Sequence, residues 1–258
     1  MALFSLHQSD GWVNIAPMNE LDLEAAPAAP LAEILRPKTL DDVVGQEPLL
    51  GPQGRLRLML AHGALGSIIF WGPPGTGKTT IARLLADAAD MAFEPISAVF
   101  DGVGELRKVF DRAAQRRPQG RRTLLFVDEV HRFNKAQQDG LLPRVEDGTV
   151  TLVGATTENP SFALNGALLS RAQVLVLDRL DRTALEAILG RLEAHIGRDL
   201  PVDKDARAAL LGMADGDGRY LLNMASLLVE MPETTIMDSQ ALAELVAGRA
   251  PAFDRAGD

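Results

Sequence analysis

GPPGTGKT, residues 72–79, decides the fold. Gly72, Pro73, Pro74, Gly75, Thr76, Gly77, Lys78 and Thr79 meet G-x-x-x-x-G-K-[ST] at every position. The short apolar run 68–71 precedes the motif. After it, residues 79–89 place Ile81, Leu84, Leu85 and Ala88 on one helical face. A strand, a glycine turn and a helix in that order make a phosphate cradle. Glycines let successive N–H groups turn toward one point, and the helix N-terminus adds positive potential there. Lys78 is placed to reach β- and γ-phosphates, the Thr79 hydroxyl to ligate Mg²⁺, and Thr80 to carry the cradle into the helix. A glycine turn that merely precedes a lysine is the plainer alternative, and the strand–helix context argues against it.

LLFVDE, residues 124–129, supplies the second half. Its apolar run has the pattern of a buried parallel strand. Carboxylates at the C-terminal end of such a strand lie on the ligand-binding edge of a sheet. Asp128 is expected to hold Mg²⁺ through water and Glu129 to polarise an attacking water; a solvated strand end is the bland alternative. A water-polarising glutamate beside the metal ligand points to ATP hydrolysis rather than phosphate transfer to a small molecule. A nucleotide kinase would also need an arginine-rich lid between the strands, and none is legible.

Further strands are expected at 93–96, 150–155 and 174–177. A helix at 103–114 is marked by Val103, Leu106, Val109, Phe110 and Ala113, and another is capped by Asn134 and runs to about 142. Strands separated by helices imply five parallel strands with helices on both faces, an α/β P-loop domain over residues 31–180. Beyond Asp178 only helical patterns follow, at 183–196, 204–213, 220–231 and 239–247, so residues 181–258 are expected to form a small all-helical domain. Residues 1–30, with AAPAAP at 25–30, read as a flexible arm. In RPKTLDDVVGQ, residues 36–46, Thr39 is a candidate N-cap with Asp41 and Asp42 in the first turn.

Composition excludes several classes. There is no cysteine, which rules out disulfides and thiolate metal sites and fits a cytoplasmic setting. The four histidines have no metal spacing. No apolar run reaches the roughly 18 residues of a membrane span, and the N-terminus lacks a secretory signal pattern. The formal net charge of −9 is the wrong sign for a DNA-coating surface, so a nucleic-acid contact needs a local patch. Arg112, Arg116, Arg117, Arg121 and Arg122 form one candidate patch, and Arg132 with Lys135 another. A solvated helix end and loop is the plainer reading of the first. Leu3-Phe4 loosely resembles the Leu-Phe peptides that dock on a sliding clamp.

The P-loop, DEVHRFNKAQQDGLLPRVEDG (128–148), GATTENPSFALNGALLSRA (154–172) and RPKTLDDVVGQE (36–47) together resemble the AAA+ ATPases of the clamp-loader and RuvB neighbourhood, and more narrowly the bacterial RarA (MgsA) family, relatives of the eukaryotic Werner-helicase-interacting protein. The likeness runs from about residue 31 to the end. It implies that Thr157 falls on the sensor-1 position, Arg171 on an arginine finger reaching a neighbouring subunit's γ-phosphate, and Arg219 on sensor 2 in the helical lid. It also implies that Val43, Val44 and Gly45 line the adenine pocket. Core packing for the valines and a surface place for Arg171 are the plain alternatives. The resemblance further implies a DNA-dependent ATPase at stalled, gapped or single-stranded regions of replication forks. It implies a homo-oligomer, with a sliding clamp or single-strand-binding protein as possible partner. Family members continue into a C-terminal tetramerisation domain, so the chain reads as the ATPase-core portion. Two other readings stay open: a clamp-loader-type or RuvB-like motor subunit, and a nucleotide-switched assembly module with little turnover.

Overall fold

Five strands share one sheet in the order β2-β3-β4-β1-β5: β1 (Ile68–Trp71), β2 (Ala92–Ser97), β3 (Thr123–Asp128), β4 (Thr151–Thr156) and β5 (Gln173–Val176). Every pairing is parallel, as expected. The computed structural model describes residues 29–232 and 234–248. From Leu31 onward these form one compact unit; the arm at 1–28, with Leu3-Phe4, lies outside them.

The sheet sorts its side chains by alternation. Ile68, Phe70, Leu124, Phe126, Val153 and Ala155 face one core, shared with α4 (Lys78–Ala88), α2 (Glu47–Leu50) and α3 (Arg55–Ala61). Ile69, Leu125, Val127 and Leu152 face the other, shared with α5 (Val103–Arg116) and α6 (Lys135–Glu146). With both faces covered, the central strands read as unbroken apolar runs. β2 is an edge strand, which is why Pro95 fits inside it: a missing N–H on the open side costs no ladder bond.

Four helices follow: α9 (Arg182–Ile196), α10 (Lys204–Ala214), α11 (Gly218–Val229) and α12 (Ser239–Gly248). They enclose a separate core around Leu189, Leu192, Leu210, Leu221 and Leu228. Asp181, Asp203 and Asp217 cap three of them by accepting from the third N–H of each helix. Leu31, Ala32 and Leu35, around α1 (Leu31–Ile34), pack on this helical core rather than on the sheet.

The elements depart from the sequence reading in four places. Thr39 heads only a short 3-10 turn, Leu40–Asp42, where the Asp42 carboxylate accepts from the Thr39 N–H and hydroxyl. α2 and α3 were not legible; α2 opens with Pro48 in its first turn, a position that needs no N–H. α6 runs past residue 142 to Glu146, through Pro143, and the Asp147 N–H still bonds the Pro143 carbonyl. Short helices α7 (Pro160–Ala163) and α8 (Gly166–Leu169) occupy a segment to which the sequence reading assigned no element.

Candidate nucleotide site

β1 lies between β4 and β5, and the chain leaves it at the C-terminal edge of the sheet straight into the glycine turn. Gly75 and Gly77 take positive φ, +68° and +98°, which glycine adopts at no steric cost. At Gly75 a side chain is also barred by its neighbour: a Cβ there would sit 1.7 Å from Asp217 Oδ1. The turn is tied to the helical layer, since the Gly218 N–H donates to the Gly75 carbonyl at 3.2 Å. Inside the turn, Thr76 is buried and its hydroxyl donates to the Pro73 carbonyl. Lys78 starts α4, and its buried ammonium donates to the Gly72 and Pro73 carbonyls at 2.8 and 2.7 Å. Burial pulls the Lys78 pKa below its ordinary value, while the charges of Glu129, Asp128 and Asp217 oppose that fall. The same balance places both carboxylates of the acidic pair within electrostatic reach of the lysine.

The register explains that convergence. β4 separates β1 from β3, with Trp71 opposite Thr156 and Val127 opposite Gly154. Two strand spacings put the P-loop and Asp128 about 10 Å apart across the edge, a width that phosphate and metal can span. Asp128 ends β3, and its carboxylate accepts from the Glu129 N–H. Glu129 takes the left-handed conformation, φ +52°, rare for a non-glycine residue and characteristic of constrained functional positions. Thr79 and Asp128 offer a hydroxyl and a carboxylate, the hard oxygen donors Mg²⁺ takes alongside water and phosphate.

The remaining candidate residues divide. Val43 packs on the sheet core and Val44 on the helical core. Gly45, at φ +75°, leaves no room for a Cβ, which would stand 2.8 Å from that of Ala184. The segment therefore runs along the seam between sheet and helices, and the Gln46 amide closes it by donating to the Asp178 carbonyl. Arg36 reaches the Thr80 hydroxyl at 3.4 Å. Arg219 is exposed in the first turn of α11, close enough for its charge to act on Lys78. Thr157 is exposed one residue past β4, and the side-chain hydrogen bonds at that strand end belong to the fully buried Thr156. Arg171 pairs with Glu146 and donates to the Ala167 carbonyl and the Ser170 hydroxyl, none of them in the P-loop.

The ATPase family associated with various cellular activities (AAA) matches residues 68–180. Replication-associated recombination protein A of Escherichia coli (strain K12) is 44% identical over 248 residues, 92% of this chain and 56% of that protein. This chain belongs to the RarA family of AAA+ ATPases. The family likeness extends to ATPase WRNIP1 of Dictyostelium discoideum, 43% identical over 206 residues, 78% of this chain and 24% of that protein. The chain spans about half the length of the curated RarA relatives it matches. Among solved structures, the Thermotoga maritima RuvB Holliday junction branch migration motor shares the fold, with a TM-score of 0.65 and 25% identity, over 83% of this chain and 72% of that one. Among the described residues, no helix is long and apolar enough to cross a membrane.

Several motifs that mark the RarA likeness acquire a structural account. Gln138 of α6 donates to the Phe133 and Ala163 carbonyls and accepts from the Asn165 N–H, and Asp139 accepts from the Asn165 amide. Asp147 caps the turn into β4 by accepting from the Thr149 N–H. α6 thus braces the segment that carries Arg171. The first basic cluster is divided: Arg112 and Arg116 both bind the Glu94 carboxylate, leaving Arg117, Arg121 and Arg122 as exposed charge. Arg132 and Lys135 are exposed. Sequence reasoning passed over His131, which is buried at the strand end beside Glu129 and Thr156. The signal available was a titratable residue two positions after the acidic pair.

Proposed function

We propose that this chain binds ATP with Mg²⁺ and hydrolyses it, and that it does so within a homo-oligomer acting on DNA at replication forks. The observation that carries the reading is the meeting of Lys78, Asp128 and Glu129 at one end of the sheet, around a complete P-loop.

The roles follow from position. Backbone N–H groups from Gly75 through Thr80 face the phosphates, with Gly72, Pro73, Pro74 and Thr76 shaping the turn; the Gly72 N–H itself stays on the Thr156 carbonyl. Lys78 exchanges two carbonyl partners for phosphate oxygens. Thr79, and Asp128 through water, would hold Mg²⁺, whose charge would offset that of the phosphates. Glu129 orients a water and accepts its proton as the water oxygen attacks the γ-phosphorus and the bond to the β-phosphate oxygen breaks. Thr157 at the end of β4 is assigned to the γ-phosphate or attacking water. Val43, Val44 and Gly45 bound the adenine side, and Arg219 closes from the helical layer, which serves as the lid.

Arg171, whose bonds run to Glu146, Ala167 and Ser170, is assigned to the neighbouring copy's γ-phosphate. The relatives named for replication-associated recombination support DNA as the substrate on which turnover acts. A sliding clamp or single-strand-binding protein as further partner and a cytoplasmic setting complete the reading. Measuring ATPase rate with and without primed, gapped DNA tests the proposal. DNA stimulation supports it; a basal rate that DNA leaves unchanged removes the fork role, and no turnover removes the hydrolase role.

A further inference from the structure

His131 stands in the 3-10 turn Val130–Arg132 that follows the acidic pair, with only 3% of its side chain exposed. Its Nδ1 lies 2.9 Å from Thr156 Oγ1 and 3.3 Å from Glu129 Oε2. Its Nε2 lies 3.4 Å from Glu158 Oε1. Thr156 is fixed in turn: its hydroxyl accepts from the Glu158 N–H at 3.0 Å and faces the Glu158 carbonyl at 3.2 Å. One ring therefore joins Glu129, at the end of β3, to the end of β4 across two sequence blocks. Glu129 needs such a tether. Its left-handed backbone sets where the side chain starts, but two freely rotating bonds beyond Cβ would let the carboxylate wander.

We infer that His131 is the positioning residue for Glu129: its Nδ1 side, shared with Thr156, holds the Glu129 carboxylate in the orientation that aligns the attacking water. The inference rests on the proposed role of Glu129. A neutral imidazole offers one N–H and one acceptor, so Nδ1 and Nε2 are separable contacts. Asn approximates the Nδ1 position and Gln the Nε2 position, which makes the two sides testable in turn. Misplacing a catalytic group by an ångström costs about 100-fold in rate, which sets the scale.

The test compares His131→Ala, His131→Asn and His131→Gln for kcat, KM and ATP affinity, with Glu129→Gln as reference and thermal melting as the check on folding. Expected are a 10- to 100-fold loss of kcat in H131A and H131Q with ATP affinity unchanged, and H131N within about threefold of the parent. Parent-like kcat in H131Q overturns the inference, as does an equal loss in H131N and H131Q. A Glu129→Gln variant that turns over at the parent rate overturns the underlying reading of Glu129 instead. A readout independent of turnover is the ring ¹⁵N spectrum of His131: E129Q should move its Nδ1 resonance, and an unmoved resonance counts against the contact.

Discussion

The Lys78 ammonium bonds the carbonyls of Gly72 and Pro73, the first two residues of its own glycine turn. The cation thus keeps the turn closed on itself and lies where the phosphates of a nucleotide would compete for it. Lys78→Ala removes both functions. Each lost charge-assisted bond is worth about 1.5–3 kcal/mol, so ATP affinity should fall about 10- to 100-fold, measured by titration with a fluorescent ATP analogue. Unchanged affinity would place the phosphates elsewhere.

Arg171 is held by Glu146 on α6 and has no partner at its own P-loop. If it completes a neighbour's site, Arg171→Ala should lower turnover by about 10³-fold while ATP affinity stays within a few-fold of the parent. Mixing R171A with K78A should restore part of the activity, because some interfaces then pair an intact Lys78 with an intact Arg171. Mixtures no more active than either variant alone would argue against completion in trans.

Glu94 is buried on β2 and binds Arg112 and Arg116. The Arg112 hydrogen bond, seconded by Arg116, holds its pKa below the ordinary 4.5 against the opposing effect of burial. A depressed carboxylate stabilises the fold above its unfolded-state pKa. That contribution is lost as pH falls through the folded value. Urea unfolding of the parent should therefore weaken below about pH 4.5, and Glu94→Gln should flatten that limb while costing about 1–3 kcal/mol at pH 7. An unchanged pH dependence in E94Q would show that other carboxylates set the acid limb.

Gly45 crosses the seam between sheet and helices at φ +75°, where a methyl group would stand 2.8 Å from the Ala184 Cβ and 2.9 Å from Leu180 Cδ2. Gly45→Ala should cost about 1–3 kcal/mol, from left-handed backbone and overlap together. Adding Ala184→Gly removes one of the two close contacts and leaves the one with Leu180, so it should recover only part of the loss. Chemical denaturation of the single and double variants reads both, and equal losses would mean that the Ala184 overlap contributes nothing.

Much of this was legible in the chain because it is local. The P-loop, the acidic pair and the apolar runs of β1 and β3 announce themselves within a few residues, and their edge-to-edge placement follows from parallel strand order. What escaped depends on contacts between distant segments. The pairing of Glu94 with Arg112 and Arg116 turned two residues of a candidate phosphate patch into an internal ion-pair network. Pro143 sits inside α6 because the surrounding turns hold without its N–H, whereas propensity alone stops the helix there. His131 meets Glu158 and Thr156 through the adjacency of β3 and β4, which no spacing in the sequence encodes.

The central claim is that Lys78, Asp128 and Glu129 form an ATP-hydrolysing site. Phosphate release from Mg²⁺-ATP by the parent and by Glu129→Gln, with ATP binding measured alongside, tests it most directly. The account predicts turnover by the parent and an E129Q variant that binds ATP normally but hydrolyses it about 10²- to 10⁴-fold more slowly. Equal turnover by the two proteins would contradict it.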